Sequence, residues 1–167
     1  FSMLWGQFKS PFMREELVSS AYQLAADRSY VNETFNQGRS QGIQLAYADE
    51  NWRAALAFTD GFNSANSEFA SPRTVNPTTG YLTGGESDYA FTGRGEFKFA
   101  GNWDQFQDFT SVSGSDFAAM LGVAGHIEGG DSSSSTFSQG DYMFYGWTAD
   151  ISLEGDGWNF FAAAVGA

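Results

Sequence analysis

The chain of 167 residues is 42% hydrophobic and 17% aromatic, and 20 acidic against 8 basic side chains set its formal charge at −12. That length holds one domain at most, and an apolar content this high excludes disorder as a global description. The charge excludes a nucleic-acid partner, because neutralising phosphates takes clustered lysine and arginine, and here they are scattered from Lys9 to Lys98.

Residues 1–9 read as a strand. Residues 10–38 form a long polar connection, in which residues 15–27 place Leu17, Ala21 and Leu24 at helical spacing behind Glu15 and Glu16, whose carboxylates favour a helix start. Ile43, Leu45 and Tyr47 alternate with polar neighbours, and Trp52, Leu56 and Phe58 do so against Arg53 and Thr59. Between them Asp49-Glu50-Asn51 has hairpin-turn chemistry. A second long connection occupies residues 61–88.

From Tyr89 to Phe99, aromatics and glycines alternate with Ala90, Thr92, Arg94, Glu96 and Lys98, so the three charges share one face. Residues 101–116 are a medium-length aromatic connection, read as a turn. The alternative is an eighth strand over residues 103–109, which would invert the sides of everything after it. Phe117, Leu121, Val123 and Ile127 then alternate with Ala118, Met120, Gly122, Ala124, His126 and Glu128. Residues 129–140 are a third long connection, with a low-complexity tip at 132–135 expected to be mobile. Met143, Tyr145, Trp147 and Ile151 alternate with Gly146, Thr148, Asp150 and Ser152, and the turn Gly155-Asp156-Gly157 leads into a last strand at 158–165.

Seven antiparallel strands of about 9 to 12 residues, with short turns on one side and long loops on the other, match tilted strands crossing a bilayer. Tyr47, Trp52, Tyr89, Phe99, Phe117 and Trp158 fall near strand ends, where an aromatic girdle would lie. A soluble sandwich also alternates, but with strands nearer 5 or 6 residues and a well-charged outer face. The pattern favours the barrel. No apolar run reaches the roughly 18 residues of a spanning helix, and cysteine is absent, which removes disulfides and thiolate nucleophiles.

The string Gly6-Gln7-Phe8-Lys9, Pro11-Phe12, Glu16-Leu17, Ser19-Ser20, Asp27-Arg28-Ser29, then Gly38-Arg39 and Gly42 opening a strand, resembles the phosphate-selective porin family called porin O and P. Arg94-x-Glu96-x-Lys98 and the hairpin from Asp150 to Phe161 are similar as well. The resemblance implies a sixteen-stranded antiparallel β-barrel, usually a homotrimer, in the outer membrane of a Gram-negative-type bacterium. It would pass small ions or solutes passively, phosphate among them. Residues 10–38 would be the constriction loop folded into the lumen.

The partners expected are therefore a lipid bilayer and small solutes, with no cofactor, no metal and no enzymatic activity. Selectivity would come from charged side chains projecting into the narrow path. The candidates are Lys9, Arg14, Glu15, Glu16, Arg28, Arg39, Arg53, Arg94, Glu96, Lys98, His126, Glu128 and Asp150. Anion-specific porins are expected to line the path with arginines, whereas here acids stand beside the cations, so a weakly selective diffusion pore is expected.

His126, two residues before Glu128, reads as a polar wall residue rather than part of a hydrolase site, and no Gly-x-Ser-x-Gly elbow is present. Trp147 and Tyr145 read as lipid contacts in preference to a sugar-stacking platform. The competing class is a secreted β-sandwich that binds carbohydrate or mediates adhesion. Single-chain barrels close with an even strand number, and at about 24 residues per strand sixteen would take roughly 380 residues. The chain, which opens at Phe1 with no visible signal peptide, is therefore expected to be a stretch of a longer protein.

Overall fold

The computed structural model describes residues 1–23, 25–62, 74–75, 82–83, 87–132 and 140–167. Seven strands form one antiparallel sheet in which neighbours in sequence are neighbours in space: β1 (Ser2–Lys9), β2 (Arg39–Ala48), β3 (Trp52–Thr59), β6 (Tyr89–Ala100), β7 (Ala118–Ser132), β8 (Gly140–Gly155) and β9 (Trp158–Gly166). A separate two-residue ladder joins β4 (Thr74–Val75) to β5 (Leu82–Thr83). The class is all-β. The sheet is open, with β1 and β9 as its terminal strands.

All seven expected strands are present, and the longest exceed expectation. β7 and β8 run 15 and 16 residues and pair from Ala118↔Glu154 to Ser132↔Gly140, so the third long connection shrinks to residues 133–139. Those residues, including 133–135 of the low-complexity tip, lie outside the described ones, as do most of 61–88 and Leu24. The short turns are as read. Asp156 and Gly157 sit at φ 26° and 80°, as a two-residue hairpin turn of the type favoured by Asp-Gly requires.

The register stacks the two alternating patterns across the whole sheet. One face carries Leu45, Leu56, Phe91, Leu121, Tyr145 and Trp147, and the other carries Ala57, Thr92, Arg94, Gly122, Asp150 and Ser152. Burial then reverses the usual order for a protein in water. Leu121 and Tyr145 are 41% and 57% exposed, whereas Arg94 is 5% and Asp150 3% exposed. Nothing among the described residues packs a second sheet onto the apolar face.

The polar face is covered instead by two segments. Residues 10–38 lie against it through Phe12, Met13 and Arg14, with Phe12 and Met13 packing on Ala124. This is possible because that face is built of small residues. A Cβ on Gly146 would meet the Phe12 ring at 3.2 Å, and one on Gly122 would overlap the Arg94 guanidinium.

The single helix expected over residues 15–27 is not formed. α1 (Arg14–Leu17) ends where Val18 turns extended, a 3-10 turn covers Ser20–Tyr22, and α2 (Tyr30–Phe35) follows. Ser19 and Ser29 use their side chains as N-caps, the role that competes with helix interiors for serine.

Residues 101–116 are not an eighth strand. They hold a 3-10 helix, Trp103–Gln107, closed by a capping box between Asn102 and Gln105. The segment is fastened to both adjacent short turns: Trp103 donates through Nε1 to the Asp49 carbonyl at 3.0 Å, and the Gly157 amide donates to the Val112 carbonyl at 3.0 Å. Phe106 is thereby placed on Ala118 and Met120 of the polar face.

Aromatic rings gather on the apolar face at the short-turn rim. Trp52 and Phe97 lie 4.6 Å apart between ring centres, and Phe117 and Trp158 6.3 Å. At the other rim Phe58 and Phe91 pair at 5.1 Å. Gly122→Ala is expected to push the Arg94 guanidinium off its partners and destabilise the fold by about 1–3 kcal/mol. Gly125→Ala, on the open face with no atom within 4 Å of the added carbon, should leave the urea midpoint unchanged. Equal midpoints for the two variants would show that the hollow at Gly122 is not needed.

Candidate functional site

Period-2 alternation delivers the charged side chains to one face, and the missing side chain of Gly122 gives the Arg94 guanidinium its place. From there Nη2 and Nη1 reach the two Asp150 carboxylate oxygens at 2.9 and 2.8 Å. Nε donates to Glu96 Oε1 at 2.8 Å, and Nη1 also donates to the Phe12 carbonyl at 3.0 Å. Arg94 is thus paired with the sheet and with the segment of residues 10–38 at once. Charge-assisted bonds of this kind are about twice as strong as neutral ones, and they offset the loss of hydration.

Arg14 enters the same cluster from residues 10–38. Its Nε donates to Ser152 Oγ at 2.8 Å, and its Nη2 donates to the Phe106 carbonyl at 2.9 Å. Burial pulls its guanidinium below the ordinary value, while the nearby Glu96 and Asp150 carboxylates pull it back up. Lys9 bonds Glu16 at 2.9 Å, and Glu16 also meets Arg28 at 3.3 Å, so one carboxylate serves two cations at the strand-to-segment junction. Glu15 accepts from the Ser29 amide and from its hydroxyl, holding the base of α2.

A second buried cluster lies at the long-loop end. Thr92 Oγ1 is 2.8 Å from His126 Nδ1 and donates to Gln37 Oε1 at 3.2 Å, while His126 Nε2 lies 3.2 Å from Glu128 Oε2. The Phe62 amide donates to that same Glu128 oxygen at 2.6 Å. A hydroxyl, an imidazole and a carboxylate in line have the order of a nucleophilic relay. Among the described residues these three are buried, with the rings of Phe12, Phe62 and Phe144 around the imidazole. The arrangement joins β6 and β7 to the ends of two long connections.

Of the expected site residues, Arg14, Arg94, Glu96 and Asp150 come together, as do His126 and Glu128, and Lys9, Glu16 and Arg28. Arg53 stands apart, its guanidinium 4.0 Å above the Trp103 ring, and Lys98 donates to the Gly101 carbonyl at 2.6 Å. Arg39 is exposed at the start of β2, opposite Lys9. A groove of about 520 Å³ opens beside β1, β2 and β3, with Lys9, Gln44, Arg53, Arg94 and Glu96 on its wall. Among the described residues no three His, Asp or Glu side chains converge as metal ligands would.

Sequence reasoning overlooked Gly122, Gly146, Ser152, Thr92 and Gln37. The signal was present for the glycines, since both fall on the polar phase of the alternation, where small residues leave room for a third element.

The chain matches no family model, no curated protein and no solved structure.

Arg94→Met leaves the Asp150 carboxylate buried without its partner and should cost about 3–5 kcal/mol. Adding Asp150→Leu should recover a large part of that loss, as a double-mutant cycle on urea midpoints would read. Strict additivity of the two substitutions would mean that the pair is not coupled.

Proposed function

We propose that this sheet is a section of the wall of an outer-membrane porin, a water-filled channel for passive diffusion of small solutes or ions. The observation that carries the reading is the reversal of burial. Large apolar and aromatic side chains stand on the uncovered face, while arginine, histidine and carboxylates stand on the covered one. An exposed apolar surface of this extent in water would drive aggregation, and in acyl chains it is matched to its solvent. A secreted sandwich needs the opposite arrangement, with the oily face packed on a second sheet.

Strands of 8 to 16 residues, rings at both rims and short turns opposite long connections agree with a membrane barrel. Closing the wall requires strands paired to the outer edges of β1 and β9, in a trimer of the kind the porin O and P resemblance implies. Residues 10–38 then form the constriction, lying where irregular backbone is tolerated because it faces protein and water, not lipid. Residues 101–116, bonded to both neighbouring turns, narrow the same space from the short-turn rim.

Ion pairing bears on selectivity. Arg94, Lys9 and Arg28 each face a carboxylate within 3.3 Å. A bare basic path is what would select phosphate, and these cations are already neutralised, so the pore is proposed as weakly selective.

Variants keeping a single tryptophan in acyl-brominated vesicles test the carrying observation. Fluorescence of Trp52 or Trp147 should be strongly quenched, and that of Trp103, bonded to Asp49 beneath the sheet, should not. Unquenched Trp52 and Trp147 would sink the membrane reading. In planar bilayers, discrete conductance steps with a reversal potential near zero in a salt gradient are the expected outcome, and a strongly anion-shifted potential would restore phosphate selectivity.

A further inference from the structure

We propose that Arg14 locks together two constricting segments that enter the channel from opposite rims, residues 10–38 and residues 101–116, so that they open and close as one body. The functional half of this inference rests on the porin reading above; the mechanical half does not.

Each segment has its own attachment at its own rim. Residues 101–116 are tied by Trp103 to the Asp49 carbonyl, and by the Val112 and Ser115 carbonyls to the amides of Gly157 and Asp156. Residues 10–38 are tied by Lys9 to Glu16 and by the Phe12 carbonyl to Arg94. Neither set of bonds relates one segment to the other.

Arg14 does so directly. Two different nitrogens of its guanidinium serve two acceptors at once, Ser152 Oγ on the wall at 2.8 Å and the Phe106 carbonyl of the opposite segment at 2.9 Å. Its Cζ also lies 5.8 Å from the centre of the Phe106 ring and 5.2 Å from that of Phe109, within cation–π range. The Phe109 amide completes the junction by donating to the Tyr22 carbonyl at 3.1 Å, and the Phe109 ring packs 4.8 Å from that of Phe161 on β9.

The residue type matters. A guanidinium presents five donors in a rigid plane and stacks on rings, whereas a lysine carries all its donors on one nitrogen. Lysine can keep the charge beside Glu96, Asp150 and Glu154, but it cannot hold the wall and the Phe106 carbonyl together in the same way. If the charge alone mattered, lysine would suffice. If the fork matters, lysine and methionine should both release the junction.

Hydrogen exchange of the folded protein in detergent micelles, followed by peptide mass spectrometry, distinguishes these cases. In Arg14→Lys and Arg14→Met, amides of residues 14–22 and of residues 103–109 should both exchange about tenfold faster or more, while those of β6, β7 and β8 stay as in the parent protein. Acceleration confined to residues 14–22 would overturn the coupling, because Arg14 would then act only on its own segment. Wild-type exchange in Arg14→Lys would overturn the need for the fork.

Should Arg14→Met fail to refold, Arg14→Lys carries the same test alone. Single-channel recording separates the two readings. A parent protein without conductance steps defeats the porin reading and leaves the exchange result to judge the coupling. A conducting parent with unchanged exchange at residues 103–109 defeats the coupling alone. Where both hold, Arg14→Lys should add partial-conductance fluctuations absent from the parent protein.

Discussion

The constraint on which the rest depends is the need to house a buried guanidinium. Arg94 sits 5% exposed at the middle of the polar face, and each of its three nitrogens donates to an acceptor, on Glu96, the Phe12 carbonyl or Asp150. The arrangement demands a carboxylate two strands away, empty space at Gly122 between them, and a carbonyl delivered from outside the sheet. Remove any one and a buried charge loses part of its compensation, which is why sheet register and segment placement are joined here. A slip of one residue in β8 would turn Asp150 to the other face and leave Arg94 alone.

From that constraint the polarity of the sheet follows. Because charges, hydroxyls and the inserted segments take one face, the large side chains have the other. The inner positions Ala57, Ala90, Ala118, Gly122, Ala124 and Gly146 are small because a third layer of chain must approach the backbone closely. In a soluble sandwich the small-residue face would be the outer one and the large residues would make the core. Here the core is thin and polar, with apolar contacts limited to local groups such as Phe12, Met13 and Ala124, or Phe106 with Ala118 and Met120. So little apolar burial cannot by itself offset the conformational entropy of a sheet this size, and a hydrocarbon solvent around the open face would remove the need for it.

The strands were legible because period 2 is local and strong. Phe117 to Glu128 alternates without a break, and the hairpin at Asp156-Gly157 declares itself by residue type. Residues 15–27 misled because Leu17, Ala21 and Leu24 keep helical spacing while Ser19 and Ser20 favour a cap, and a buried Arg14 outside the repeat decides where the segment lies. The charged residues of β6, β7 and β8 were legible as sharing one face, since they share the phase of Gly122. Their pairing was not: Arg94 and Asp150 are 56 residues apart, and only the β6-β7-β8 register brings them together. The course of residues 101–116 over the polar face left a trace in Trp103, Phe106 and Phe109, three rings in a connection too short to need them.

The same register explains why His126 is part of the framework. Thr92 and His126 are directly paired across β6 and β7, and Glu128 follows on the same face two residues later, so alternation alone lines up hydroxyl, ring and carboxylate. Such a row has the form of a catalytic relay wherever solvent reaches it. Here Phe12, Phe62 and Phe144 close over the ring, Gln37 takes the hydroxyl and the Phe62 amide takes the carboxylate. The bonds from Thr92 to Gln37 and from the Phe62 amide to Glu128 thus tie the row to the roots of two long connections. A buried polar row anchored in this way fixes where those connections leave the sheet, which is the same task that Arg94 performs at mid-height.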